Sequence, residues 1–292
     1  GSKGSVGSLS TMGSSRRRIM NRNKGIKTAE EVVGMRLFCL PWEGANTQVF
    51  EQLSHLIPAV QMVALQYPGR LNRVREEPIS DIRKLAQTAV DAMVHQKLTD
   101  QPFGFCGCGM GALVGYEMAR ILRRTMNKSP KLMFMVSCEP PQQFEENGTT
   151  AYDDIDDMGN EDVFDFVNGI EKGMLPNQLD QQRDIFNLGV PLFKADSKAL
   201  SKYFYEADWP FACPLYAIIG EYDERMPKEQ IKEWQQETTK DFDCIVMTCG
   251  SRDMLRETSS LHDFAAFLNE KIGIALEKPD EVEDVYTDIN AL

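Results

Sequence analysis

The sequence predicts an α/β fold, a mostly parallel sheet flanked by helices, and three observations carry that expectation. From Met35 to about Ile274, short apolar runs alternate with longer stretches at helical spacing, as parallel strands joined by crossover helices require. The run Gly104–Cys108 passes into Met110–Arg120 through Gly107-x-Gly109-x-Gly111, a sharp turn from strand to helix. A chain of 292 residues with 42% hydrophobic and 26% charged residues also suits one large globular core.

In chain order, Met35–Pro41 reads as an apolar strand delivering the loop Trp42–Asn46, and Asn46 or Thr47 caps a helix that ends near Ile57, before Pro58. Gln61–Tyr67 is a strand closed by the Pro68-Gly69 turn. Ser80-Asp81 caps a helix with Ile82, Leu85, Ala86, Ala89, Val90, Met93 and Val94 on one face. The glycine-rich strand and helix follow, then a strand at Lys131–Ser137 and a loop at Cys138–Pro141. From about Phe144 to Asp208 helical segments (Asp162–Ile170, Gln178–Phe186, Pro191–Tyr205) replace the alternation. It resumes with the strand Pro214–Gly220, the helix Lys228–Thr238, the strand Phe242–Thr248 and a last helix at about Glu257–Ile274. No internal repeat is present.

The join at Gly109 is the frame of a nucleophile elbow, G-x-S-x-G, with glycine at its centre. An elbow holds its central residue in a strained backbone region so that the side chain stands above the sheet. Its flanking glycines exist because a Cβ there would strike the turn. Gly109 relieves the strain and has nothing to attack with. Around it stand Leu40-Pro41-Trp42-Glu43-Gly44-Ala45, Tyr67-Pro68-Gly69-Arg70-Leu71-Asn72-Arg73, Pro191-Leu192-Phe193-Lys194-Ala195-Asp196 and Ile219-Gly220-Glu221-Tyr222-Asp223. In this order the segments resemble the type II thioesterases of polyketide and nonribosomal peptide assembly lines, members of the α/β-hydrolase superfamily. That family reads F-P-Y-A-G-G, L-P-G-R-x-x-R, P-x-L-R-A-D and, at the elbow, G-H-S-M-G-A. The resemblance covers roughly Met35 to Ile274. It implies an α/β-hydrolase fold whose insertion at about 144–208 is a helical lid over an acyl channel. Phe164, Phe166, Phe186, Leu188, Leu192, Phe193, Tyr203 and Phe204 either line that channel or simply pack the insertion onto the body.

The resemblance also implies where a Ser-Asp-His triad would stand. Gly109 occupies the nucleophile slot, where serine is absent. Asp223, in the turn after a strand, is the retained acid. The family's G-G-H-F-F segment corresponds to Cys249-Gly250-Ser251-Arg252-Asp253, which puts Ser251 in the histidine slot. Of the three histidines in the chain, His55 and His95 fall on the first two helices and His262 inside the last one. The backbone N–H groups of Glu43 and Met110 are the expected oxyanion donors, and the Glu43 carboxylate is tolerable beside them only if it points outward. Cys108 is the alternative nucleophile, but it precedes the apex and lacks a histidine, so a structural thiol is the favoured reading. No metal ligands and no cofactor are expected. The expectation is a catalytically inactive thioesterase-like protein (a pseudoenzyme) that retains the fold for acyl or carrier-protein binding, or as a structural subunit of a larger complex. The alternative is an active acyl-thioester hydrolase using a displaced nucleophile such as Cys108.

Three segments are expected: a flexible basic N-terminal arm (1–34), the hydrolase-like domain with its lid (35–275) and an acidic C-terminal tail (276–292). The net charge is −12, yet residues 1–27 hold seven bases and no acid, leaving 25 basic against 44 acidic residues. An acidic body argues against nucleic acid as a partner. Acyl carrier protein or a multi-subunit assembly is the expected partner, and an acyl chain the expected ligand. Arg70, Arg73 and Arg75 beside the cleft, with Arg120, Arg123 and Arg124 on the elbow helix, read either as a face for an acidic carrier or as ordinary solvated surface. The Gly/Ser-rich, acid-free arm is read first as flexible, then as a transit-peptide remnant or a basic docking tail. No run is long and apolar enough to span a bilayer. The seven cysteines form no paired metal-ligand or disulfide framework, so an intracellular setting, cytoplasmic or organellar matrix, is expected.

Overall fold

The computed structural model describes residues 10–11, 34–144, 154–170, 183–223, 226–250 and 252–277. Most of the arm, the C-terminal tail, Ser251 and the stretch 178–182 therefore lie outside the described residues. Six strands form a parallel sheet: β2 (Met35–Leu40), β3 (Val60–Ala64), β4 (Phe103–Cys108), β5 (Met133–Val136), β6 (Leu215–Gly220) and β7 (Phe242–Met247). A two-residue strand, β1 (Ser10–Thr11), adds antiparallel to the β3 edge, so the sheet order is β1-β3-β2-β4-β5-β6-β7. Two residues of the segment read from the sequence as a flexible arm, Ser10 and Thr11, thus pair with the sheet edge.

Every residue of β4 and β6 is buried, because helices cover both faces of a parallel sheet. On one face α2 (Ile82–His95) and α3 (Met110–Met126) pack with Phe38, Phe103 and Phe105. On the other, α1 (Glu51–Leu56) and α7 (Thr258–Glu277) bury Leu53, Leu261, Phe264 and Leu268 against Phe134 and Ile218. The expected caps form. The Asn46 side chain accepts from the Gln48 N–H at 2.9 Å, and that of Asp81 from the Lys84 N–H at 2.8 Å.

Two elements differ from expectation. Around Pro191 two helical segments were expected, but α5 (Arg183–Ser201) runs through it. Proline costs that helix one hydrogen bond, while Val190 and Phe193 are buried in the lid's own small core and Asp196 anchors the following turn. The expected helix Lys228–Thr238 is one α-turn, α6 (Lys228–Ile231), followed by a 3-10 stretch, Lys232–Glu237, that buries Trp234 and Glu237.

The lid aromatics serve packing. Phe164 meets Phe186 edge-on at 5.0 Å between ring centroids, and Phe166 meets Phe193 at 6.4 Å, with α4 (Asn160–Ile170) closing on α5. Tyr203 joins the main core, and Leu188 is exposed. The arginines expected to face a carrier or solvent are mostly structural. Arg120 is buried between Glu117 (3.0 Å) and Asp208 (3.4 Å), and Arg123 and Arg124 also close on Asp208, at 2.8 and 2.9 Å. Arg70 pairs with Asp196, and Arg73 with Glu76 at 2.6 Å. Asp196 and Asp208 arrive from far along the chain, so these basic residues tie the lid and its return loop to the body.

Candidate functional site: a filled elbow

At the end of β4 the chain turns through Gly109, with φ 52° and ψ −127°, and enters α3 at once. Glycine is the residue that adopts this conformation without strain. The flanking glycines are demanded by contact. A Cβ on Gly107 would lie 2.4 Å from the Gly111 oxygen, and one on Gly111 would lie 2.3 Å from the Leu40 oxygen. The Gly109 N–H donates to the Val136 carbonyl at 2.8 Å, which fixes the apex at the carboxyl edge of the sheet. The elbow frame is intact.

The space above the apex is taken by the loop after β2. A Cβ on Gly109 would meet Glu43 Oε2 at 2.9 Å and Trp42 Cβ at 3.0 Å. The Glu43 carboxylate therefore points inward, contrary to the outward orientation expected from the sequence. Its Oε2 accepts a long hydrogen bond, 3.4 Å, from the Met110 N–H, the first donor of α3. Its Oε1 accepts from Arg252 Nη2 at 2.6 Å. Both residues are 6% exposed. The inward charge is tolerable because a helix N-terminus and a guanidinium face it together. Arg252 in turn lies over the Trp42 ring, 5.3 Å from its centroid.

Asp223 is buried in the turn after β6, with its N–H donating to the Gly220 carbonyl at 3.2 Å. The next N–H back, that of Tyr222, donates to the Cys249 carbonyl at 3.2 Å, so the turn after β6 and the segment after β7 are tied together. Ser251 itself lies outside the described residues. The three histidines of the chain, His55 in α1, His95 in α2 and His262 in α7, are all exposed on helices outside the sheet. Cys108 is buried beneath the apex in the core shared with Cys39 and Cys106. Hydrogen bonding to the Cys106 thiol, followed by burial, pushes its thiol well above the ordinary range. That is the reverse of an activated nucleophile. Among the described residues no cluster of histidine, cysteine and carboxylate side chains is arranged to hold a metal ion.

Sequence reasoning missed Arg252 and the lid residue Asp196. Asp196 is buried, pairs with Arg70 and accepts from the Gly44 N–H at 2.7 Å, so it joins the lid to the loop that carries Glu43. The signal for both was a charge needing a partner: Glu43 in an otherwise uncharged loop, Arg70 beside a Pro-Gly turn. Burial raises the Asp196 pKa, with Arg70 and the Gly44 N–H pulling the other way. A carboxyl with a raised folded-state pKa binds its proton more tightly folded than unfolded. Its contribution to stability therefore falls as pH climbs from the ordinary carboxylate range through the raised value. Melting curves of the parent and Asp196→Asn across acidic to neutral pH check this. The parent is expected to lose stability relative to the variant on the way up, and a gap that widens in the parent's favour contradicts it.

A parallel sheet with an elbow after β4, an acid turn after β6 and a further loop after β7 defines the α/β-hydrolase fold. Within that class the chain belongs to the thioesterase domain family, whose model matches residues 35–272. It is 27% identical over 243 residues to the gramicidin S biosynthesis protein GrsT of Aneurinibacillus migulanus, covering 83% of this chain and 90% of that one. It is 25% identical over 247 residues to the thioesterase PikA5 of Streptomyces venezuelae, covering 84% of each. Among solved structures, the RedJ thioesterase from the prodiginine pathway of Streptomyces coelicolor superposes with a TM-score of 0.73 at 24% identity, over 82% of this chain and 86% of that one. Among the described residues no helix is long and apolar enough to cross a membrane.

Proposed function

We propose that this chain is a non-hydrolytic member of the thioesterase family, which uses the fold to hold a partner and does not cleave a thioester. The observation that carries this is the Glu43 carboxylate at the elbow, set against the Met110 N–H and Arg252 where a hydrolase develops an oxyanion. The apex residue has no side chain and all three histidines lie on outer helices, so nucleophile and base are both missing. Triad groups act as a unit, and a lone acid at Asp223 confers little. One named relative is a gramicidin S biosynthesis protein and the motifs resemble assembly-line type II thioesterases, which makes a carrier protein bearing an acyl or peptidyl group the partner class to test first. The closed apex and the lid joined to it through Asp196 favour surface docking, or service as a subunit of an assembly, over capture of an acyl chain at Gly109.

Hydrolysis of short- and medium-chain acyl-N-acetylcysteamine thioesters tests the proposal. Parent protein and Cys108→Ala are both expected to match the spontaneous rate. Turnover by the parent that disappears in Cys108→Ala establishes the displaced-nucleophile alternative instead.

A further inference from the structure

The two ends of the parallel sheet are protected differently. At one end β7 carries Asp243 within the strand and Lys240 and Asp241 just before it, charges of the kind that keep an edge strand from pairing with another chain. At the other end β3 opens the run Val60-Gln61-Met62-Val63-Ala64-Leu65-Gln66-Tyr67, which holds no charge and no proline and is buried except at Gln61. Among the described residues only Ser10 and Thr11 pair with its outer edge, antiparallel, opposite Ala64 and Val63. They sit in Gly7-Ser8-Leu9-Ser10-Thr11-Met12-Gly13, a segment poor in the β-branched and aromatic residues that favour strands. We propose that Ser10–Thr11 is a cis guard on the edge through which two copies of this chain otherwise pair.

The register shows what the edge accepts. β1 runs antiparallel to β3, so the outward N–H and C=O groups of that strand take an antiparallel partner. A second copy turned about a two-fold axis presents its own β3 in that direction, the same surface on both sides. With no charge in the strand, such a pairing sets no like charges opposite each other. The tether decides between the two occupants. The Gly34 N–H donates to the Ala59 carbonyl at 3.3 Å, so the chain enters the domain beside the start of β3. Val63 lies about 13 Å further along that strand. The 22 residues from 12 to 33 join the guard to this point, and a coil of that length has a root-mean-square reach of about 26 Å. The guard therefore meets its edge at an effective concentration on the order of millimolar, well above a second copy at micromolar. Its contacts are few and its tether makes up for them.

Sedimentation equilibrium of the full chain tests this, independently of whether the elbow hydrolyses anything. The parent is expected to be a monomer at micromolar concentration. Over the same range Ser10→Pro/Thr11→Pro, which removes both guard N–H groups and puts proline where a ladder excludes it, is expected to approach twice the mass of one chain. A synthetic peptide of residues 7–14, added at millimolar concentration, is expected to return the variant to monomer. The same peptide carrying Ser10→Pro/Thr11→Pro is not. A variant that stays monomeric overturns the proposal, as does a parent that dimerises equally or a dimer that the peptide leaves intact. Assembly beyond the dimer also contradicts it, because a two-fold pairing closes on itself.

Discussion

A variant carrying Glu43→Ala, Gly109→Ser, Ser251→His and Arg252→Phe hydrolyses an acyl-N-acetylcysteamine thioester, while Gly109→Ser with Ser251→His alone stays near background. The two triad changes supply a hydroxyl and a base, for which we propose Asp223 as the orienting acid. They leave the Glu43 carboxylate on the Met110 N–H, 2.9 Å from where the new Cβ must go. An oxyanion hole with a resident anion cannot stabilise a second one, and the loss of one such donor costs about 10²–10³-fold in turnover. The fourfold variant is expected to exceed the double by about that factor. Glu43 and Arg252 are changed together so that neither buried charge loses the other as its ion-pair partner. Each single triad change should do nothing useful, and Gly109→Ser adds strain of about 1–3 kcal/mol at a positive φ. A double variant as active as the fourfold one means that Glu43 does not obstruct the site. A fourfold variant as inert as the parent means that more than the triad and the plug has been lost.

Breaking the Glu43–Arg252 pair from one side is the second large effect. Both partners are buried and their contact is 2.6 Å, so either Glu43→Ala or Arg252→Met takes this ion-pair partner from a buried charge. Each single change is expected to cost about 3–5 kcal/mol, while replacing both by apolar residues is often nearly neutral. Arg252→Met also gives up its contact with the Trp42 ring, worth roughly 1 kcal/mol. Denaturant unfolding of the two single variants and Glu43→Leu/Arg252→Met completes the cycle. A coupling of several kcal/mol is the expected result, and additive costs contradict a buried pair.

Local chemistry was legible in the sequence and long-range pairing was not. Gly107, Gly109 and Gly111 announce the elbow because their spacing between strand and helix is itself local, although the atoms that exclude a Cβ at Gly111 belong to Leu40, far back in the chain. Asn46 and Asp81 announce their helices because a cap bonds two or three residues on. The empty nucleophile slot and the displaced histidines follow from the same local reading. The direction of the Glu43 side chain does not, because its partner lies 209 residues away and only the closed sheet brings them together. Arg120, Arg123 and Arg124 fail for the same reason: their acid, Asp208, stands on the far side of the lid insertion. Pro191 reads locally as a boundary because its cost is plain, whereas the burial of Val190 and Phe193 that offsets it is tertiary. The residues that fill the site are thus the ones whose meaning depends on the folded sheet.

The most direct test of the claim that no side chain here attacks a thioester is the mass of the intact chain. Parent protein is mixed with excess acyl-N-acetylcysteamine, quenched in acid at early and late times, and weighed. With glycine at the apex and Cys108 buried with a raised pKa, the mass is expected to stay at that of the unmodified chain while the thioester remains intact. An added acyl mass at any time, mapped to Cys108 or to another side chain, would contradict it.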